Sequence, residues 1–166
     1  KNMQLLLSQL RQSDDGSVVP GFILSAHHAD DNDETVLMKL LRGAHISSLS
    51  GMSTCSMVLD DSNENVALLG RPLLNIRKKD IQDFLLEYFP AIHDNKFPWR
   101  EDESNKSGKY MRNRVRNELM PLLSELSGGE MALQLRLLNL SSQSAKLKNY
   151  LNESDRYSSE FVIGDL

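Results

Sequence analysis

Hydrophobic positions change period several times along the chain, and each change marks an element. Met3, Leu6, Leu7 and Leu10 recur at the i, i+3, i+4, i+7 spacing of an amphipathic helix, and Ser13-Asp14-Asp15-Gly16 supplies the turn that ends it. Val18 to Ala26 is a short apolar run with Pro20 near its start, which predicts a strand buried on both faces. Behind it Val36, Leu37, Leu40 and Leu41 form one helical face, and Gly43 is placed to close that helix as its C′ residue. Cys55–Leu59 and Val66–Leu69 predict two strands around the polar tip Asp60–Asn65, in a hairpin-like arrangement. Asn75 is the expected cap of a helix that buries Ile81, Phe84, Leu85 and Tyr88.

The second half of the chain is more helical. Phe89 to Gly108 reads as a long loop carrying Pro90, Pro98 and Trp99, a length that is uncommon without a function. From about Lys109 to Leu126 a helix carries Val115, Leu119, Leu122 and Leu123, with Pro121 expected to kink or stop it. After Gly128-Gly129, Met131 to Leu151 predicts another helix, with Leu133, Leu137 and Leu140 on one face. From Asn152 the chain turns polar and serine-rich, and Phe161-Val162-Ile163 reads as the start of a further element. Helix, buried strand and helix in that order predict an α/β layered domain with a mostly parallel sheet. Because Lys1 opens directly on a helical pattern, the chain is expected to begin in mid-domain.

Composition narrows the class without identifying it. The 166 residues are 40% hydrophobic and 25% charged, a balance that argues for a packed core and against disorder or a collagen-like chain. The apolar run Val18–Ala26 is far shorter than a bilayer span, so no membrane role is expected. One cysteine, Cys55, excludes an internal disulfide and a multi-cysteine zinc site, which fits an intracellular setting. With 19 basic residues against 23 acidic, the net charge of −4 offers no global attraction to nucleic acid. Any RNA contact must therefore come from a local cluster.

Two clusters could carry chemistry. His27-His28-Ala29-Asp30-Asp31-Asn32-Asp33-Glu34 lies where the predicted strand ends and the helix begins, the edge at which open α/β sheets bind ligands. Asp31 and Glu34 are three apart and Asp30 and Glu34 four apart, so their carboxylates share a helical face. Mg²⁺, the ammonium of a lysine-like substrate, or the positive end of the helix dipole could each relieve their repulsion, and acids also favour a first helical turn with nothing bound. Asp30 or Asp31 is the candidate Mg²⁺ ligand. A zinc or di-metal hydrolase site is disfavoured because His45 and His93 stand alone. The second cluster, Ser104 to Asn117, holds Lys106, Lys109, Arg112, Arg114 and Arg116 with no acid. Arg112 and Arg116 share a helical face that could grip phosphates, although a charge run is commonly just a solvated face. Ser127-Gly128-Gly129-Glu130 has the look of a phosphate loop but follows no strand, and is read as a helix terminator. Trp99 could stack on a base or simply anchor its loop.

In order, His27-His28-Ala29-Asp30-Asp31 with Glu34-Thr35, Leu40-Leu41-Arg42-Gly43-Ala44, Gly51-Met52, Arg71-Pro72-Leu73-Leu74, Trp99-Arg100-Glu101-Asp102 and Tyr110-Met111-Arg112-Asn113-Arg114-Val115-Arg116 resemble the tRNA(Ile)-lysidine synthetases, a branch of the PP-loop ATP pyrophosphatases. The likeness covers roughly residues 20 to 125. It implies a partial Rossmann-like α/β/α parallel sheet of the adenine nucleotide alpha hydrolase type, followed by a helical segment. On that resemblance 1–75 would be the C-terminal part of the PP-loop domain, 76–126 a helical tRNA-facing extension, and 127–166 a linker helix and the start of a further region.

The implied reaction joins free L-lysine to C2 of the wobble cytidine of tRNA(Ile) bearing a CAU anticodon, with ATP and Mg²⁺. Asp31 and Glu34 would recognise the lysine. His27, His28 and Asp30 would shape the pocket or help hold Mg²⁺ and nucleotide. Arg112, Asn113, Arg114, Arg116 and Lys109 would face the tRNA, with Arg42 and Arg71 as further phosphate contacts. The family's Ser-Gly-Gly-x-Asp-Ser phosphate loop has no counterpart here and is expected upstream of Lys1. ATP-binding residues are therefore unassigned, and the chain by itself is expected neither to bind ATP tightly nor to complete the reaction. A non-catalytic tRNA-binding remnant is the alternative, and a homodimer is possible. The serine-rich spacers and a long Phe89–Phe97 segment lean toward a plastid (chloroplast stroma) enzyme, with bacterial cytoplasm the other setting.

Overall fold

A computed structural model describes residues 21–59, 66–89, 99 and 110–162. The elements are β1 (Gly21–Leu24), α1 (Ala29–Leu41), a 3₁₀ turn (Ile46–Ser48), β2 (Cys55–Leu59), β3 (Val66–Gly70), α2 (Lys78–Tyr88), α3 (Met111–Arg114), a π-helical segment (Val115–Leu119), α4 (Met120–Ser127) and α5 (Glu130–Val162). They divide into two compact units. One takes the chain up to Ala29 together with Met52–Phe84, the other Asp30–Gly51 and the chain from Leu85 onward.

The first unit holds a three-stranded sheet in the order β1-β3-β2. β1 runs parallel to β3, with Gly21 opposite Ala67 and Leu24 opposite Gly70. β2 runs antiparallel, from Cys55 opposite Gly70 to Leu59 opposite Val66. The sheet is thus mixed, because the short connection between β2 and β3 permits a hairpin, whereas a parallel pair needs a crossover of about a dozen residues or more. Strand alternation buries Ala67 and Leu69 on one face. Contrary to the expectation for a doubly buried strand, Phe22 and Leu24 are 76% and 75% exposed on the other. A continuous apolar run does not by itself say that both sides are covered. After β3, Leu74 N–H donates to Arg71 O and Ile76 N–H to Leu73 O, so 71–76 is a turn. Helix α2 therefore begins at Lys78, and Asn75 does not cap it.

The second unit is helical. Its core joins Val36 and Leu37 of α1, Val115 of the π segment, and Leu133 and Leu137 of α5, with Met38, Leu119, Met120, Leu123 and Leu140 packed around them. Gly43 ends α1 at φ +72° as anticipated, freeing Gly43 N–H for Leu40 O and Ala44 N–H for Lys39 O. Pro121 neither stops nor simply kinks its helix. It cannot donate to the carbonyl four residues earlier, and just upstream the chain widens into a π turn in which Met120 N–H reaches Val115 O. Gly128, at φ +86°, then closes α4 as the terminator expected there. Helix α5 runs unbroken past Asn152 to Val162, where a break and a new element were expected. Serine and charged residues are tolerated in a helix whose one face is solvated. No helix among the described residues is long and apolar enough to cross a membrane.

Candidate active site

The strand-to-helix junction is tied down locally. Ser25 N–H donates to Gly70 O at 2.9 Å, which extends the β1–β3 pairing, and Ser25 Oγ lies 2.5 Å from His27 Nδ1. Ala29 N–H donates to Ile76 O at 2.9 Å, fixing where α1 starts. From Asp30 the chain belongs to the helical unit, and there the acids turn inward. Asp31 is buried, and Glu34 is only 2% exposed and among the largest fully buried side chains.

Two carboxylates cannot be withdrawn from water without counter-charge. It comes from Arg112 and Arg116. Arg112 donates from Nε to Glu34 Oε2 at 2.7 Å and from Nη2 to Asp31 Oδ1 at 2.8 Å. Arg116 donates from Nε to Glu34 Oε1 at 2.5 Å, and from Nη2 to Glu34 Oε2 at 3.1 Å and Asp31 Oδ1 at 3.3 Å. The match is geometric: residues i and i+3 on α1 meet residues i and i+4 across α3 and the π segment, so each guanidinium forks over both acids. The hydrogen bond to Glu34 holds the Arg116 pKa above its usual value against the opposing effect of burial, and the fields of Glu34, Asp31 and Asp30 add to it. Thr35 Oγ1 caps the arrangement by donating to the Asp31 carbonyl at 2.8 Å.

The other sequence-derived site residues fall in different places. Asn113 is buried beside the forked arginines in sequence. Arg114 points away from the acids, to Glu118 at 3.0 Å. Arg42 is exposed just past α1. Arg71 belongs to the sheet unit, where its Nη1 donates to Ser53 O at 2.8 Å and Ser56 Oγ at 3.3 Å. His27 and His28 also precede the helical unit. Lys109 and most of the Phe89–Gly108 stretch lie outside the described residues. Among the described residues no group of three or more His, Cys, Asp or Glu side chains is set to hold a metal ion. Asp31 Oδ1, already accepting from two guanidiniums, is a poor fit for Mg²⁺ in this arrangement, since the cation would face like charge.

Sequence reasoning missed three supporting contacts. Gly51 N–H donates to Ser141 Oγ at 2.9 Å, and a side chain at Gly51 would collide with the Asn32 amide. Lys39 Nζ donates to the Ser50 carbonyl. Together these hold the Ser50-Gly51 loop between α1 and α5. The Arg114–Glu118 pair, at i, i+4, carried a signal readable in the sequence.

Residues 14–123 match the PP-loop domain, and the chain belongs to the PP-loop family. Within that class its relatives include the tRNA(Ile)-lysidine synthase of Chlamydia pneumoniae, 35% identical over 153 residues that make up 92% of this chain and 42% of that protein. The tRNA(Ile)-lysidine synthase of Legionella pneumophila strain Lens is 41% identical over 103 residues, 62% of this chain and 21% of that protein. That of Treponema denticola is 38% identical over 103 residues, 62% of this chain and 19% of that protein. The chain spans less than half the length of these relatives.

Proposed function

We propose that the chain is part of an enzyme that uses ATP to join lysine to C2 of the wobble cytidine in a tRNA(Ile) with a CAU anticodon. The observation that carries this reading is the buried, charge-compensated Asp31/Glu34 pair inside the stretch that matches the PP-loop domain. The names of the relatives support the substrate.

The chemistry requires two steps. The C2 oxygen of cytosine is a poor leaving group, so adenylation by ATP first converts it into a phosphate ester and releases pyrophosphate. The neutral ε-amine of lysine then attacks C2, and AMP departs with the oxygen. Asp31 and Glu34 hold the lysine through its cationic end. Two guanidiniums already balance these carboxylates, so an incoming ammonium must take the place of an Arg112 or Arg116 contact. Lys109, Arg114, Arg42 and Arg71 serve the tRNA. Mg²⁺ would accompany the nucleotide as counter-charge to its phosphates.

The test is AMP release by the full-length protein with ATP, L-lysine and a CAU-anticodon tRNA(Ile) transcript. Asp31→Asn is expected to raise the KM for lysine about tenfold or more, the scale of one lost charge contact. An unchanged KM and kcat would remove Asp31 from lysine recognition.

A further inference from the structure

The helical unit contains a cavity of about 510 Å³ that the lysine site does not use, lined by Leu41, Met111, Arg114, Val115, Glu118, Leu119 and Leu122. We infer that this cavity receives an unstacked nucleobase from a single-stranded RNA loop. The inference rests on the proposed tRNA substrate and adds to it a second point of contact.

Three features of the cavity favour a base over other ligands. Its walls are aliphatic, while the two polar groups sit together on one side: Arg114 donates from Nε to both Glu118 oxygens at 3.2 Å and from Nη2 to Oε2 at 3.0 Å. A base presents the complement, two flat apolar faces and an edge on which N–H donors alternate with ring-nitrogen or carbonyl acceptors. A carboxylate can accept from an exocyclic amino group while a neighbouring guanidinium donates to the adjacent acceptor. The hydrogen bond from Arg114 keeps Glu118 ionised to lower pH than usual, so near neutrality it only accepts.

The charge distribution points the same way. Arg112 and Arg116 are engaged on Asp31 and Glu34, whereas Arg114 faces solvent at the cavity rim and Arg42 follows the wall residue Leu41. Arg114, in the lining and 64% exposed, puts a guanidinium within reach of an RNA backbone there. Tyr110, the exposed neighbour of Met111, offers a ring on which a second base can stack. The π turn contributes Val115, Glu118 and Leu119 to one wall, and such turns are frequent at functional sites.

The experiment measures binding of the chain to a fluorescent 17-nucleotide anticodon stem-loop RNA with a CAU loop, at fixed salt. The comparison RNAs have the same stem with one loop position abasic in each. Leu122→Trp fills the cavity from a half-exposed position, and Leu126→Trp, on the same helix but outside the lining, is the control. The expected result is that one abasic loop and the Leu122→Trp variant each weaken binding about tenfold, without further loss when combined, while Leu126→Trp binds as the parent does. Glu118→Gln is expected to weaken the intact loop and leave the critical abasic one unchanged. If the stem-loop binds but Leu122→Trp has no effect, or every abasic loop binds equally, the cavity assignment fails and the ligase reading stands. If the parent chain does not distinguish the stem-loop from its bare stem duplex, the cavity assignment fails together with the tRNA-facing role of this helix, and the lysine test above decides the rest.

Discussion

Arg114 and Arg116 are two residues apart on one continuous helical stretch, yet the structure assigns them different energetic weights. Arg116→Ala removes two of the hydrogen bonds that Glu34 accepts and one that Asp31 accepts. Bonds to charged groups contribute about 1.5–3 kcal/mol each when their loss strands a buried partner. Two facts reduce the sum. Arg112 keeps one bond on each carboxylate, and the Arg116 side chain is 31% exposed, so water recovers part of the loss. The expected destabilisation is about 2–3 kcal/mol, below the upper range for breaking a fully buried pair. Arg114→Ala breaks a pair whose side chains are 64% and 57% exposed, where water screens the charges, so its loss should be small beside that of Arg116→Ala. Urea unfolding followed by far-ultraviolet circular dichroism at pH 7 reads both, and a cycle of Arg116→Ala with Glu34→Gln should give a coupling of at least about 1 kcal/mol. Equal losses from Arg114→Ala and Arg116→Ala, or a coupling near zero, would show that the buried acids are not held by this network.

Three further outcomes follow from the same packing. Leu137→Ala, in the core between α1, the π segment and α5, is expected to cost about 2–4 kcal/mol in the same unfolding assay. Gly51→Ala forces its new Cβ against Asn32 and should lose about 1–3 kcal/mol, with part restored in the Gly51→Ala/Asn32→Ala double variant; no restoration would place the strain elsewhere. Lys39 is held below the ordinary lysine value of 10.5, first by burial and then by Lys148. The unfolded chain therefore binds that proton more tightly, and on this account stability rises with pH from the lowered value up to 10.5. Lys148→Gln should stabilise the chain slightly near pH 8, solvent screening keeping the gain small. That gain should fade as the pH passes 10.5, and a pH-independent gain would rule out the charge explanation.

Local order was legible because its causes are local. The apolar spacing of Val36, Leu37, Leu40 and Leu41 specifies a helix, and Gly43 can end it because only glycine enters φ +72° without strain. The hairpin of β2 and β3 follows from two short apolar runs around a polar tip. Where reading failed, a distant or structural cause had intervened. Asn75 looked like a cap, but the 71–76 turn consumed the chain before α2 could begin. Pro121 looked like a stop, but the π turn absorbed its missing donor. The polar, serine-rich turn of the chain at Asn152 looked like the end of the helix, yet α5 continues through it to Val162.

The chemistry divides in the same way. The sequence by itself placed Asp31 with Glu34 on one helical face and Arg112 with Arg116 on another, because i, i+3 and i, i+4 neighbours are fixed by helix geometry. It could not say that those two faces meet. The pairs are 78 to 85 residues apart in the chain, and charge patterning alone left the arginines equally suited to phosphate. Tertiary packing decided the matter: the core that joins Val36 and Leu37 to Val115 brings α1 against the arginine-bearing segment. Carboxylates carried into that contact must find counter-charge nearby, and Arg112 and Arg116 are the cations the packing delivers.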